Sequence, residues 1–468
     1  MDVVTNMRIL LVVYDNDSYI HWFPQGLAYI SSVLLRMGHE VVIYQQDVFH
    51  WPEEHLTDYL NRNHFDAVCV SVIGGYYQYR KLLKISVAIN RANNRPTFII
   101  GGHGPAPEPE YFLKKTRADI VAIGEGEITT VELFNAIDHK TPLKDVKGIA
   151  FLDGDKLVKT PERPLIHDID TIEPPAYHLF PIDYYSLLRD PNMSNADRGM
   201  PVLSGRGCTF KCNFCYRMDM GHRARSIEAV LDEVSLLQKN HDINYIMFSD
   251  ELLMISEERT VEFCNGIIRS GMRFKWNCNG RLNFAKPDVL KLMRDAGCVF
   301  INYGIESLDQ QALNVMKKGL SVKMIHQGIQ ATLESGISPG FNIIFGNIGE
   351  NRDSLKKGVE FLLRYDDHSQ MRTIRPVTPY PGSPLYYHAI RNGLLKDVED
   401  FYERKHLNSD LLTINFTDLS DDEFHDALYD ANVTLLSAYF DQARDKAQQI
   451  AFDLYKNRNS SFRGFRQT

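Results

Sequence analysis

Apolar and polar positions along this chain alternate between two periods. Short β-branched apolar runs at Arg8–Tyr14, Glu40–Tyr44, Ala67–Val72, Thr97–Ile100 and Ile120–Ile123 predict strands. Between the first two, Gln25–Met37 carries apolar residues at three-to-four spacing and stops at Gly38, as a helix does. Continuous apolar strands separated by helices predict a parallel sheet covered on both faces. The fold class expected for residues 1–147 is therefore a doubly wound, Rossmann-like α/β domain, with its ligand crevice at the carboxyl ends of the strands.

Residues 148–198 read differently. A small hairpin is predicted around Asp153-Gly154-Asp155, and Pro161, Pro164, Pro174, Pro175 and Pro181 then punctuate an ordered linker. Alternation resumes over residues 199–393. Strands are predicted at Pro201–Ser204, Tyr245–Phe248, Lys275–Cys278, Phe300–Gly304, Phe341–Phe345 and Arg372–Pro376. Helices fill the gaps at Ser226–Lys239, Glu257–Ser270, Pro287–Ala296 and Lys323–Ser335. Such units predict a partial TIM-like (β/α)6 barrel whose chemistry sits in the carboxyl-end loops. Residues 394–468 form a helical C-terminal extension in this reading. Asp421–Leu454 has helical spacing and Lys456–Thr468 is a polar tail with Arg458, Arg463 and Arg466.

Composition narrows the function classes. A length of 468 residues accommodates two or three domains, and a net charge of −8 disfavours a general nucleic-acid binder. Seven cysteines, an odd count, and no basic leader before the first strand predict a reducing, cytoplasmic setting rather than a disulfide framework. No apolar run approaches the ~20 residues of a membrane span.

The chemistry concentrates in Gly205-Arg206-Gly207-Cys208-Thr209-Phe210-Lys211-Cys212-Asn213-Phe214-Cys215-Tyr216. Cys208, Cys212 and Cys215 follow a C-x3-C-x2-C spacing. Three thiolates hold three irons of a [4Fe–4S] cube and leave the fourth open to an outside ligand. A closed zinc site asks for a fourth protein ligand, and none follows at zinc-finger spacing. The loop resembles the cluster loop of radical S-adenosylmethionine (SAM) enzymes. That resemblance implies that the three cysteines are catalytic cluster ligands and that Phe214 backs the adenine of SAM. It also implies SAM contacts at other strand ends. These are Asp250 and Glu251, where the family often has Gly-Gly-Glu and this chain lacks the glycines; Asn279 and Arg281; Glu306 and Ser307; and Gly346. Cys69, Cys264 and Cys298 read as small core residues, whereas Cys278 reads as facing the site. The histidines show no metal spacing.

The first domain extends the resemblance. A doubly wound domain ahead of such a barrel, with Gly26-Leu27-Ala28-Tyr29, Gly101-Gly102-His103, Gly124-Glu125-Gly126-Glu127 and a late Pro379–Tyr386 segment, is similar to the class B, cobalamin-dependent radical SAM family. Gly26, Ser71, Gly75, Gly101, Gly102, His103, Gly124 and Glu125 are the cofactor-binding positions this implies, with the aromatic stretch Tyr19–Phe23 beside them. The D-x-H-x-x-G motif that gives cobalt a lower histidine elsewhere is absent, because Asp47-Val48-Phe49-His50 lacks its spacing and glycine. A nucleotide, or no ligand, stays open for such a sheet, although G-x-G-x-x-G is missing.

The activity implied is a cobalamin-dependent methyltransferase. It moves a methyl group from methylcobalamin to an unactivated carbon of a small molecule or a protein residue, after hydrogen abstraction by a 5′-deoxyadenosyl radical. Tyr303, Arg375 and Tyr380 are expected to hold substrate. An electron donor such as a ferredoxin or flavodoxin is the partner implied. The alternative enzyme is a radical cyclase of the anaerobic magnesium-protoporphyrin ester cyclase type, without methyl transfer. A non-catalytic cobalamin or iron–sulfur sensor is the reading from a different class.

Overall fold

The structure is a computed structural model that describes residues 6–17, 21–218, 221–366, 370–408 and 410–461. Tyr19 and the tail beyond Ser461 lie outside the described residues.

Two sheets carry the chain. The first has the order β2-β1-β3-β4-β5-β6-β7. β1 (Arg8–Val13), β2 (Glu40–Gln45), β3 (Ala67–Ser71), β4 (Thr97–Gly101) and β5 (Ile120–Ala122) run parallel. Their apolar residues are buried on both faces because helices cover both, and Ile9, Leu10, Leu11 and Val12 are all fully inaccessible. The predicted hairpin, β6 (Ile149–Asp153) and β7 (Lys156–Lys159), forms as expected, but it belongs to the first sheet rather than to the ordered linker. Ile120 pairs with Phe151 in an antiparallel ladder, so the first sheet continues to Lys159.

The second sheet is open and wholly parallel, in the order β8-β11-β12-β13-β14-β15. Its strands are β8 (Gly199–Val202), β11 (Tyr245–Phe248), β12 (Lys275–Gly280), β13 (Cys298–Glu306), β14 (Ser338–Phe345) and β15 (Arg375–Pro376). A separate two-stranded ladder joins β9 (Gly205–Arg206) to β10 (Arg223–Ala224) and forms the neck of the cysteine loop. The six strands match the expected partial barrel, and β13 and β14 run longer than their apolar cores suggested.

The helices follow physical signals readable in the chain. Ser226, Ser256, Ser321 and Ser420 each cap a helix through the side-chain oxygen. The last helix, Asp421–Tyr455, buries only its first half, from Phe424 to Leu435. Among the described residues, no helix is long and apolar enough to cross a membrane. Phe401, Tyr402 and Ile414 return to the core of the first domain, where Tyr402 stacks on Tyr79 at 4.5 Å between ring centroids.

Candidate functional site

Loops at the carboxyl ends of the first sheet meet the carboxyl end of the half-barrel. After β1, Gln25 Oε1 accepts from the Ser249 hydroxyl at the end of β11 (2.8 Å). After β4, His103 sits edge-on to Tyr216 of the cysteine loop, with 6.3 Å between ring centroids. After β5, Glu125 accepts from Arg206 (2.8 Å). The carboxyl ends of the two sheets thus face each other, and the cysteine loop lies between them.

Within that loop Cys212 is buried, and its thiol is drawn down to about 6. A hydrogen bond with Cys215 is the main cause; burial opposes it, and the Lys318 and Arg281 charges assist. Cys215 is pushed up in turn by the same hydrogen bond. Among the described residues, no three His, Cys, Asp or Glu side chains converge closely enough to hold a single ion. A four-iron cube presents a separate iron to each thiolate, so the ligands of a cluster need not meet at one point.

The surroundings fit an anionic cluster. Arg281 is 4% exposed, and its Nε and Nη2 lack a hydrogen-bond partner. Its guanidinium lies 3.5 Å above the Phe210 ring, and burial holds its pKa below the usual range against the pull of Cys212 and Cys208. A buried cation with orphaned donors is costly unless something anionic arrives. Lys318 is 6% exposed, donates to Glu306 Oε1 (2.8 Å) and lies 6.0 Å from the centroid of Phe214. Lys318 escaped the sequence reading because a lysine in Lys317-Lys318-Gly319 looks like a solvated turn.

Several expected contacts have other employment. Asp250 gives both oxygens to Ser204, accepting from its amide (2.7 Å) and hydroxyl (2.6 Å), and is 1% exposed. It therefore fixes the strand before the cysteine loop and presents no free oxygen to SAM. Glu251 accepts from the Gly207 amide (3.0 Å) inside the loop. Ser307 donates to Glu350 Oε1 (2.8 Å), whose other oxygen accepts from the Gly346 and Asn347 amides. Burial lifts the Glu350 carboxyl to about 7 against those donors. Gly346 has φ +99, and Phe424 of the last helix fills the space its Cβ would take (2.6 Å). Glu306 itself adopts φ +69, a left-handed conformation unusual for glutamate, and so turns its carboxylate onto Lys318.

The strand interior carries an amide ladder not foreseen as a unit. Asn342 donates to Asn302 (2.9 Å), Asn302 donates to Asn279 (3.1 Å), and Asn279 donates to the Asp250 carbonyl (2.8 Å). Tyr303 and Cys278 take the opposite face. Tyr303 is fully buried with its hydroxyl on Thr332, and Cys278 lies in the helix-side core near Cys264 and Cys298. Neither reaches the face that carries the ladder. Arg375 pairs with Asp410 (3.0 Å), and Tyr380 packs on His406.

In the first domain, the expected cofactor positions lie at the strand ends. A Cβ on Gly26 or Gly124 would meet nothing within 4 Å. Trp22, Ile73 and Tyr77, at the ends of β1 and β3, are 57%, 73% and 56% exposed. Large apolar side chains left in solvent at a crevice mark a binding surface. Ser71 and Gly101 face each other across β3 and β4, and Gly75 precedes the helix Tyr76–Asn90. Gly102 has φ +98, with Val72 O only 2.4 Å from its Cβ position. Asp47 and His50 are committed elsewhere, to Tyr185 (2.6 Å) and Asp15 (2.8 Å), in keeping with the missing D-x-H-x-x-G motif. Glu125 is not free for a corrin either: Arg206, Arg223 and the Ile166 amide occupy it.

Two substitutions test these local assignments. Gly102→Ala is expected to cost about 2–4 kcal/mol, because it adds a clash to a left-handed backbone; a thermal melt reads it. For Asp250, burial raises the carboxyl to about 6 despite the two bonds from Ser204. A raised pKa means the contribution is full below the unfolded value near 4 and fades as pH climbs through 6. Asp250→Ala should then cost about 2 kcal/mol at pH 5 and less at pH 8, while Asp250→Asn stays near neutral at pH 8. Equal losses for Asp250→Ala at both pH values would contradict this.

The B12 binding domain model matches residues 12–134, and the radical SAM superfamily model matches residues 202–362. The chain belongs to the radical SAM superfamily, in the branch that also carries a B12-binding domain. An uncharacterized methyltransferase of Pyrococcus horikoshii is 30% identical over 404 residues, spanning 83% of this chain and 84% of that protein. An anaerobic magnesium-protoporphyrin IX monomethyl ester cyclase of Cereibacter sphaeroides is 27% identical over 382 residues, spanning 78% of this chain and 60% of the cyclase. Among solved structures, the radical SAM methyltransferase TsrM of Kitasatospora setae, with cobalamin and a [4Fe–4S] cluster bound, superposes with a TM-score of 0.72. It is 16% identical and covers 92% of this chain and 89% of its own.

Proposed function

We propose that this protein is a cobalamin-dependent radical SAM methyltransferase acting on an unactivated carbon of a small molecule or a protein residue. The observation that carries it is the meeting of the carboxyl ends of both sheets around the three-cysteine loop. Cys208, Cys212 and Cys215 hold the cluster, and Gly26, Ser71, Gly75, Gly101, Gly102, His103 and Gly124 line the corrin surface in this reading. When bound, the cluster supplies the electron that cleaves SAM to an adenosyl radical, and the corrin carries the methyl group.

The chain's own residues do the rest. Arg281 offers its orphaned donors to the anionic end of SAM beside the cluster, and Lys318 stays ordered on Glu306. Phe210 and Phe214 wall the loop and exclude water. The Asn279–Asn302–Asn342 ladder offers amides to ribose, adenine or substrate on the inner face. Glu350 fixes Ser307 and the Gly346 turn. An electron donor such as a ferredoxin or flavodoxin of the cytoplasm would reduce the cluster.

The test is anaerobic protein loaded with iron, sulfide and cobalamin, given SAM and a strong reductant. Formation of both 5′-deoxyadenosine and S-adenosylhomocysteine is expected. Deoxyadenosine without S-adenosylhomocysteine would instead favour the cyclase reading, which the 27% identity to the ester cyclase supports. Loaded protein that makes neither product would fit the sensor.

A further inference from the structure

We propose that the Glu125–Glu127 turn is an interdomain clamp that sets how the cysteine loop faces the corrin domain, with Arg206 and Arg223 as its partners. The inference rests on the functional reading above and concerns four positioning residues that touch neither cofactor. Glu125 and Glu127 open the helix Gly126–Asp138 after β5. Arg206 reaches both, at 2.8 Å to Glu125 Oε1 and 2.6 Å to Glu127 Oε1. Arg223 pairs with Glu125 at 2.9 Å and donates to the Ile166 carbonyl, while the Ile166 amide donates to Glu125. All four side chains are 15% exposed or less.

The strand pairing gives these ion pairs their consequence. Arg206 and Arg223 are directly opposite each other in the β9–β10 ladder, and Cys208 follows two residues after Arg206. Like charges facing across an antiparallel pair repel. Here two carboxylates from the other domain compensate them, so the neck of the cysteine loop is stable only while the first domain is docked. Arg206 also lies over Tyr29 of the helix Gln25–Arg36, 5.4 Å from its centroid, a second tie to the same domain.

The experiment compares Arg206→Gln, Glu127→Gln, the double variant and Arg206→Lys with the parent full chain, loaded anaerobically with iron, sulfide and cobalamin. The probe is electron paramagnetic resonance of the reduced cluster in the presence of paramagnetic cob(II)alamin. Mutual spin broadening in the parent, lost in either single variant at unchanged iron and corrin content, is expected. No further loss in the double variant and partial recovery in Arg206→Lys complete the expected pattern. Broadening that persists in both single variants would overturn the clamp. A parent chain that takes up no iron or no corrin would overturn the functional reading instead. Hydrogen exchange of the unloaded chain then judges the clamp alone, with amide exchange at residues 203–207 and 223–226 expected at least tenfold faster in the variants. Unchanged exchange there overturns it, as does a general acceleration across the whole barrel.

Discussion

Cys212→Ala is expected to abolish SAM cleavage altogether. Cys212 is the most deeply placed of the three loop thiols and the one whose charge its neighbours favour, through Cys215 and the Lys318 and Arg281 cations. Two remaining thiolates cannot hold a cube with one open iron. The variant should therefore lose the broad iron–sulfur absorbance and most of its iron, and 5′-deoxyadenosine should fall to the level of protein-free controls. The fold should survive, because a buried Cys→Ala change removes little volume. Cobalamin uptake by the first domain should also persist. Loss of cobalamin in step with iron would mean that the corrin surface depends on an ordered cluster loop.

Arg281→Met is expected to split stability from activity. The guanidinium is buried beside the thiols with two orphaned donor nitrogens, an arrangement that burdens the unloaded protein. Replacing it with an apolar chain of similar length should raise the stability of the unloaded chain by about 1–3 kcal/mol, as removal of a buried charge commonly does. The loaded enzyme should move the other way. Losing a charge-assisted contact worth about 2–3 kcal/mol corresponds to about a hundredfold slower SAM cleavage. Thermal melts of the unloaded chain and deoxyadenosine rates of the loaded one read the two effects. A destabilised variant with an unchanged rate would assign Arg281 a packing role.

Much of this architecture is legible in the chain. The apolar runs place the strands because parallel strands are buried on both faces, and the serine caps mark four helix starts. Single positions turn on the period of two. In β12 Asn277 and Asn279 alternate with Trp276 and Cys278, and in β13 Asn302 stands between Ile301 and Tyr303, so the alternation separates the polar face from the helix-side core. Nearness to a strand end points Tyr303 and Cys278 to the site, but their parity puts both on the core side, with Asn302 and Asn279 on the other face. The prolines after the hairpin suggested a boundary, but the Ile120–Phe151 pairing is a long-range fact that local pattern does not contain. Asp250 and Glu125 are charged residues at strand ends, where ligand contacts and structural ties look alike. Only the positions of Ser204 and of Arg206 and Arg223 separate the two. Arg206 had one visible sign, a lone arginine between two glycines immediately before the first loop cysteine.

The central claim is that one site joins SAM cleavage to methyl transfer. The most direct measurement follows SAM bearing a labelled methyl group through anaerobic turnover with the loaded protein, counting S-adenosylhomocysteine and 5′-deoxyadenosine together. Both products are predicted, with deoxyadenosine lost in Cys212→Ala. Deoxyadenosine alone, from protein shown to hold its cluster and cobalamin, would contradict methyl transfer as the reaction this site performs.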